Sequence, residues 1–157
     1  MAADSYEIIE YQNKVQMLEL TSYEGYRSMD EEEVKRIVAA CLSRNGWHVA
    51  IAKKRERGPD IRAHKGDRKQ VIEAKGEATR PEMFNNYFVN ALGEVIQRMN
   101  VNIAEYGIAL PAHRKFLRLA HELQDLARQV IRLNFYFVQP HVGDEDYFIG
   151  FLGSNVR

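Results

Sequence analysis

The most informative part of this chain is residues 58–75, GPDIRAHKGDRKQVIEAK. The tetrapeptide Lys65-Gly66-Asp67-Arg68 in its middle is rich in residues that form tight turns. The segments on either side, 59–64 and 70–75, have the short, partly apolar character of strands, and the whole stretch is typical of a β-hairpin. We therefore predict two antiparallel strands here. The start of the first strand would lie beside the end of the second.

Three side chains of this hairpin have the chemistry of a hydrolytic site. Glu73 and Lys75 are two residues apart on one strand, so both leave the same face of the sheet. The hairpin brings Asp60 near Glu73 at one end of the sheet. Carboxylate oxygens are the ligands of hard cations such as Mg²⁺ and Mn²⁺. Such a cation stabilises charge on a phosphate and lowers the pKa of a bound water, and a neighbouring lysine can position that water.

A purely structural explanation also exists, in which Glu73 and Lys75 form an exposed ion pair and Asp60 is a turn residue. The Glu-Ala-Lys tripeptide alone is a weak signal, because such triplets arise by chance in any charged chain. Here an apolar pair, Val71-Ile72, precedes it, and Gly-Pro-Asp ends thirteen positions upstream of Glu73. This combination favours the catalytic interpretation.

A helix is predicted just before the hairpin. Its start has a capping box in one of two registers, Ser28 with Glu31 or Asp30 with Glu33. Asn45-Gly46 ends it, since glycine suits the left-handed position after a helix. One apolar stripe at helical spacing is formed by Val34, Ile37, Val38, Cys41 and Leu42. We expect this stripe to pack across the sheet.

The remaining elements are predicted from the same periodicities. We expect strands over 47–53, 106–110, 134–138 and 147–152, and helices over 79–99 and 113–129. The third helix is expected to bury Phe116, Leu119, Ala120, Leu123, Ala127 and Val130. The core order, α-β-β-β-α-β-α-β, predicts an α/β fold with a mixed central sheet flanked by helices. Residues 1–27 form an N-terminal extension in which strand is slightly favoured, and 28–157 form a single domain.

Composition excludes several classes of protein. The chain has 157 residues, no net charge and one cysteine, so an intrachain disulfide and a cysteine-rich zinc site are ruled out. No apolar run approaches the ~20 residues of a membrane span, and no signal peptide is visible at the N-terminus. We expect a cytoplasmic protein that does not bind membranes. No glycine-rich phosphate loop is present, so no nucleotide cofactor is expected.

The hairpin residues Pro59-Asp60 and Glu73-Ala74-Lys75 resemble the motif of the PD-(D/E)XK nuclease superfamily. This superfamily includes restriction endonucleases and Holliday-junction resolvases. The resemblance extends over about residues 30–138 and includes the helix–three-strand–helix–strand order. It implies a restriction endonuclease-like core in which Asp60, Glu73 and the Ala74 carbonyl ligate Mg²⁺ or Mn²⁺. Lys75 would contact the attacking water and the scissile phosphate. The implied reaction is hydrolysis of DNA phosphodiester bonds to 5′-phosphate and 3′-hydroxyl ends.

The resemblance also points to residues on the two flanking helices. Many members place a glutamate of the first helix near the metal, and Glu31 is chosen over its two neighbours because it shares the apolar stripe's face. Its capping role with Ser28 is an equally good explanation. Some members carry a glutamine or arginine on the second helix, for which Gln97 and Arg98 are candidates. Where glutamine is expected after the glycine, this chain has Glu94.

A basic segment surrounds the motif. Residues 53–69 contain eight bases and three acids, although the whole chain is neutral. Such a segment can be a solvated surface, but beside a nuclease motif it favours contact with DNA phosphates. The candidate contacts are Lys53, Lys54, Arg55, Arg57, Arg62, Lys65, Arg68 and Lys69.

Three functions are compatible with these observations. The first is a Mg²⁺-dependent DNA endonuclease, structure-specific or guided by a partner, that forms a homodimer because cutting two strands requires two sites. The second is a catalytically silent nucleic-acid-binding or assembly module with the same fold. The third is a generic α/β domain with a chance motif. The presence of Asp60, Glu73 and Lys75 together favours the first, and divalent-metal binding would separate the three.

Overall fold

The computed structural model describes residues 6–10, 28–53, 55–100, 104–140 and 147–154. In chain order the elements are β1 (Tyr6–Glu10), α1 (Glu31–Arg44), β2 (His48–Ile51), β3 (Ile61–Lys65), β4 (Arg68–Ala74), α2 (Met83–Arg98), β5 (Ala104–Pro111), α3 (Arg114–Glu122), α4 (Asp125–Val130), β6 (Leu133–Pro140) and β7 (Tyr147–Leu152). None of the helices in these residues is both long enough and apolar enough to cross a membrane.

One mixed sheet joins all of these strands, in the order β1-β7-β6-β5-β4-β3-β2. Strands β2, β3 and β4 are antiparallel neighbours, β4, β5 and β6 are parallel, and β6 and β7 are antiparallel. Strand β1 lies within the predicted N-terminal extension and pairs in parallel with β7 at the edge of the sheet. The chain is therefore an α/β protein with a mixed sheet flanked by helices, which confirms this coarser part of the fold prediction.

The predicted hairpin is confirmed as β3 and β4. Ile61 pairs with Ile72 and Lys65 with Arg68, so the tight turn is formed by Gly66 and Asp67. Gly66 has a φ of +58°, a conformation that glycine adopts without steric cost. This short turn fixes the hairpin register.

The first predicted helix is also confirmed, with the second of the two capping registers. The Glu33 backbone N–H donates to Asp30 Oδ1 at 2.8 Å, so Asp30 and not Ser28 is the N-cap. The helix ends at Asn45-Gly46, where Gly46 has a φ of +88°. The whole predicted stripe is buried: Val34, Ile37, Val38, Cys41 and Leu42.

The prediction of one long third helix is wrong. The helix stops at Glu122, Leu123 and Gln124 are extended, and a separate helix α4 begins at Asp125. This break rotates the second half, so that Val130, predicted to be buried, is 72% exposed. Ala127 is exposed as well. The side chain buried from α4 is instead Arg128, which packs next to β6.

The two faces of the sheet have separate hydrophobic cores. On one face α1 packs through Val34 and Val38 against Ile72 of β4. On the other face α2 and α3 pack against β5 and β6 through aromatic side chains that include Phe88 and Phe135. Strand β4 lies between β3 and β5, with α1 on one side and α2 on the other. The end of β4 is therefore where side chains from both helices can meet.

Candidate active site

Asp60 and Glu73 face each other across the hairpin. Because Ile61 pairs with Ile72 in an antiparallel register, the preceding Asp60 lies across from Glu73. The backbone N–H of Ala74 donates to Asp60 Oδ2 at 2.8 Å, which fixes the Asp60 carboxylate at the end of β4. Glu73 is only 2% exposed. The hairpin therefore holds two carboxylates together in a partly dry position.

Helix α2 supplies a counter-charge to each charged residue at the end of β4. The Arg98 Nε donates to Glu73 Oε1 at 3.2 Å. The Lys75 Nζ donates to Glu94 Oε1 at 3.0 Å. Glu94 and Arg98 are four residues apart and share one face of α2, as Glu73 and Lys75 share one face of the strand. Two ion pairs thus connect β4 to α2.

Helix α1 reaches the Asp60 carboxylate from the other side through Lys35. Its Nζ lies 3.4 Å from Asp60 Oδ1 and 3.6 Å from Glu31 Oε1. It also donates to Glu32 Oε1 at 3.2 Å, although that glutamate is mostly exposed. The Lys35 side chain is only 9% exposed. Asp60 is therefore held between a backbone N–H of β4 and a buried cation of α1.

Gly76 allows α1 to come this close. A Cβ on Gly76 would lie 2.4 Å from the backbone nitrogen of Glu31, a distance that real contacts do not reach. Next to it, the Glu77 backbone N–H donates to the carbonyl of Met29 at 2.8 Å. The chain after β4 is thus packed directly against the N-terminal end of α1, which places Glu31 beside the carboxylate pair.

Burial and like charge dominate the electrostatics of the carboxylates. The pKa of Glu73 is raised to about 7, chiefly by burial. The Asp60 charge and a side-chain hydrogen bond with Asp60 also raise it, and the hydrogen bond from Arg98 lowers it. Burial, followed by the Asp60 charge, also raises the pKa of Glu31. Burial and the neighbouring Asp60 carboxylate therefore both disfavour the ionised forms of Glu73 and Glu31.

For the two lysines, the neighbouring acidic groups outweigh burial. Burial alone would lower the pKa of Lys75, but the hydrogen bond and charge of Glu94 outweigh it, so the pKa is raised. Burial likewise would lower the pKa of Lys35, and Asp60 with the neighbouring glutamates raises it. Both lysines are consequently cations at neutral pH.

The donor set fits a divalent cation. Asp60 and Glu73 offer adjacent carboxylates whose mutual repulsion a divalent cation would relieve. Within the described part of the chain, no three His, Cys, Asp or Glu side chains are grouped as metal ligands. A cation bound here would therefore take its other ligands from the Ala74 carbonyl, from water and from a substrate phosphate, as Mg²⁺ commonly does.

The predicted DNA contacts are divided between the two faces of the sheet. Arg62 and Lys69 alternate with residues of the α1 core and so lie on the same face as Glu73. Lys65 and Arg68 lie on the opposite face, where Lys65 Nζ donates to the Asn45 carbonyl and Arg68 pairs with Glu105 through Nε and Nη2. Four further candidates are exposed and lie outside the sheet: Lys53, Arg55, Arg57 and Gln97. The last, Lys54, lies outside the described residues.

Two charged residues of this cluster were not identified from the sequence as members of the site. Lys35 comes directly after the apolar Val34, and the only sign of its burial is its position three and four residues before Val38 and Ala39. Glu94 stands out in the sequence only as a departure from the glutamine expected there. Its pairing with Lys75 depends on how α2 packs, which no local pattern specifies.

A scan against protein-family models finds no match to this chain, and searches of curated proteins and of solved structures find no significant relative. Its function must therefore be inferred from the chemistry of its own residues.

Proposed function

We propose that this protein is a metal-dependent DNA endonuclease of the PD-(D/E)XK type, which leaves 5′-phosphate and 3′-hydroxyl ends. The observation that carries the proposal is the position of Asp60 across from Glu73, with Lys75 on the same strand face as Glu73. A restriction endonuclease-like core belongs to the proposal. It is supported by the packing of α1 and α2 on opposite faces of the sheet beside β4.

Asp60, Glu73 and the Ala74 carbonyl would hold Mg²⁺ or Mn²⁺, which when bound stabilises charge on the phosphate and lowers the pKa of a water. Glu73 must be ionised to serve as a ligand, and its raised pKa of about 7 places this ionisation close to neutral pH. With a divalent cation bound, ionised Glu73 would no longer require the full charge of Arg98. The guanidinium of Arg98 could then contact a phosphate beside the one that is cut.

Lys75 acts as a cation in this proposal and not as a proton acceptor. Its pKa is raised, so its ammonium group stays protonated at the pH at which Glu73 ionises. A protonated lysine can donate hydrogen bonds to the attacking water and to a phosphate oxygen, and it stabilises the charge that develops there. Glu94 is a positioning residue, because it holds the Lys75 Nζ at 3.0 Å on the α2 side of the sheet.

One observation favours the second candidate, a nucleic-acid-binding or assembly module without turnover. Asp60, Glu73 and Lys75 each have an ion-pair partner within the chain: Lys35, Arg98 and Glu94. In an inactive descendant such pairs could replace a metal ion permanently. In an active enzyme a divalent cation must compete successfully with Lys35 and Arg98. Metal binding therefore decides between the two candidates.

The test is incubation with linear, nicked, flapped and four-way DNA in Mg²⁺ or Mn²⁺, together with titration of metal into the protein. The nuclease predicts cleavage by the parent chain, and loss of both cleavage and metal binding in Glu73→Gln. Lys75→Ala should lose cleavage but bind metal as tightly as the parent or more tightly, because a nearby cation is removed. Glu82→Gln, which alters an exposed glutamate before α2, is the control and should cut normally.

Other outcomes would point elsewhere. Cleavage by Glu73→Gln at the parent rate, with the same metal requirement, contradicts the site assignment. DNA binding without metal binding or cleavage supports the silent module. If neither metal nor DNA binds, the motif arose by chance.

A further inference from the structure

A groove lies on the same sheet face as Glu73, next to the candidate active site. Its volume is about 520 Å³, within the range of pockets that hold one small ligand and too small for a segment of duplex. Its base is formed by β2, β3, β4 and β5, and Arg98 and Asn100 at the end of α2 close one side. The proposed cleavage chemistry uses only Arg98 from this groove.

The groove residues form two regular rows across the sheet. In the nearer row, strand pairing aligns Ala50, Arg62, Val71 and Tyr106. The farther row consists of His48, His64, Lys69 and Ala104. Glu73 lies two residues beyond Val71 on the same strand, so one row spacing of about 6.8 Å separates the groove from the carboxylate pair. The groove is therefore a direct continuation of the candidate site along β4.

The charge of the groove has one sign. Arg62 and Lys69 contribute cations, as does Arg98, which also pairs with Glu73. Among the described residues that line the groove none is acidic. An anionic ligand is the complementary occupant. Because the cations lie in successive rows along the strands, they match a chain of phosphates better than one isolated anion.

The floor of the groove suits a flat, weakly polar group. Ala50 and Ala104 are small and leave open space, and Val71 and Tyr106 present apolar surface between them. At the outer end the rings of His48 and His64 are stacked with their centroids 4.8 Å apart, and they provide a planar edge. Single-stranded nucleic acid is bound by this combination of a basic groove and planar or apolar surfaces on which bases stack.

We propose that this groove binds an unpaired nucleotide of the strand that passes through the active site, so that the substrate is DNA with a single-stranded segment beside the cut. The identity of the strand as DNA depends on the proposed nuclease function. The single-stranded character depends on the groove itself, since a base inside a duplex could not reach the floor between Ala50 and Tyr106.

The test is a binding measurement in EDTA, so that it requires neither metal nor cleavage. The probes are a labelled blunt DNA hairpin and the same hairpin with four unpaired thymidines, measured by fluorescence anisotropy. The parent chain should bind the extended hairpin more tightly. Ala50→Trp, which fills the groove from an exposed position, should weaken that binding about tenfold, the loss expected for one displaced base, and leave the blunt hairpin unaffected.

A matched pair of charge variants provides the control. Arg62→Ala should weaken binding of the extended hairpin and reduce its salt dependence by about one charge. Arg118→Ala removes the same charge from an exposed position of α3 that does not line the groove, and it should change neither probe's affinity. Thermal melting of each variant verifies folding. If Ala50→Trp does not fold, two other measurements provide the same test. One is the effect of Arg62→Ala, and the other is ultraviolet crosslinking of 5-iodouracil in the extension, which should label Tyr106, His48 or His64.

Equal affinity of the parent for both hairpins overturns the proposal, as does an unchanged preference in a folded Ala50→Trp. A crosslink outside the groove also overturns it. The same holds if the parent forms dimers that Ala50→Trp abolishes while DNA binding is unchanged, and the groove is then a contact between two copies of the chain. The proposed nuclease fails separately, if the parent prefers the extended hairpin but cuts no DNA in Mg²⁺ or Mn²⁺. If the parent cuts DNA but shows no preference for the extended hairpin, the proposed nuclease function stands and the proposed role of the groove is wrong.

Discussion

Glu73 is nearly inaccessible to solvent and lies across from another carboxylate, and the Arg98 guanidinium donates a hydrogen bond to it. Burial, with a further contribution from the Asp60 charge, raises its pKa to about 7, so the protein holds this group in an unfavourable charged state above neutral pH. Buried groups that destabilise the fold in this way are frequent at functional sites. In the proposed nuclease, a bound divalent cation would recover the free energy that the carboxylate pair costs.

The first prediction concerns the pH dependence of stability in the absence of metal. The folded-state pKa of Glu73, about 7, lies above the ordinary value of 4.5, so the folded state binds more protons between these values and loses stability as the pH rises through this window. Glu73→Gln cannot titrate. Its free energy of unfolding should match that of the parent near pH 4.5 and exceed it by on the order of 2–3 kcal/mol at pH 8.

Urea denaturation in EDTA at several pH values measures this difference. The exposed variant Glu82→Gln should stay close to the parent at every pH. A parent chain whose advantage over Glu73→Gln grows with pH would show that the Arg98 ion pair outweighs burial, and the prediction would be wrong.

The second prediction concerns Lys35, the buried cation that contacts Asp60. Lys35→Met keeps the side-chain length but removes the charge that competes with a metal ion. Mg²⁺ affinity should therefore rise by about 1 kcal/mol, roughly fivefold, while stability without metal falls by about 1–3 kcal/mol because Asp60 loses a partner. Isothermal titration and urea denaturation measure the two effects. The exposed Lys69→Met is the control, and an unchanged Mg²⁺ affinity in Lys35→Met would contradict the prediction.

At the scale of elements, the site depends on how α1, α2 and β4 meet. Strand β4 provides Glu73, helix α2 provides Glu94 and Arg98, and helix α1 provides Glu31 and Lys35. The antiparallel register of β3 and β4 adds Asp60. Each element forms for local reasons, namely a cap, an apolar stripe or a turn. The charges come together only because both helices pack beside the same end of β4.

The third prediction tests the contact between α1 and the chain after β4. Gly76→Ala introduces a Cβ that would lie 2.4 Å from the Glu31 nitrogen and 2.7 Å from the Asp30 carbonyl carbon. Backbone must shift to accommodate it, so we expect a loss of about 1–3 kcal/mol in the free energy of unfolding. Mg²⁺ affinity should change as well, because Glu31 and Lys35 move with the helix.

Gly93→Ala provides the matched control, since a Cβ at Gly93 in α2 meets no atom within 4 Å. That variant should be as stable as the parent or more stable by up to about 1 kcal/mol, the difference in helix propensity. Equal stability of Gly76→Ala and the parent would show that the start of α1 is not fixed by this contact.

At the scale of the whole molecule, the described residues of this 18.2 kDa chain offer one carboxylate pair at the end of β4, with a groove beside it. In the proposed nuclease, a single site would cut one strand at a time. Hydrolysis of both strands of a duplex or junction therefore requires either two binding events or two copies of the chain. The predicted homodimer is based on this requirement, with residues 1–27 suggested as part of the contact. Of these residues, the structure describes Tyr6–Glu10, which pairs with β7 of the same chain.

The fourth prediction is that sedimentation at micromolar concentration shows a species of about twice the monomer mass, alone or with DNA. Removal of residues 1–27 should reduce this species if the extension contributes to the contact. Only a species of 18 kDa, with and without DNA, would contradict the dimer. The Mg²⁺ affinity of each species provides a control, since the carboxylate pair belongs to one chain.

Local sequence patterns were sufficient for the hairpin and for α1. The turn residues of 65–68, a capping box in one of two registers and the apolar stripe from Val34 to Leu42 predicted those elements because each depends on neighbours a few residues away. The structure then selected Asp30 as the N-cap. The same patterns failed at Leu123, where an apolar stripe continued but the helix ended, and the separate helix α4 buries Arg128 in place of Val130. Tertiary contacts override helical periodicity there, since α4 packs on β6 and not in line with α3.

The residues of the candidate site show the same division. Asp60, Glu73 and Lys75 could be placed from the sequence, because strand alternation and a short turn fix which side chains face each other. The pairing of Lys35 with Asp60, of Glu94 with Lys75 and of Arg98 with Glu73 depends on helix packing over separations of 19 to 25 residues, and no local pattern contains that information. The groove beside Val71 exists for a similar reason. It is the part of the sheet face that α2 and α3 leave uncovered.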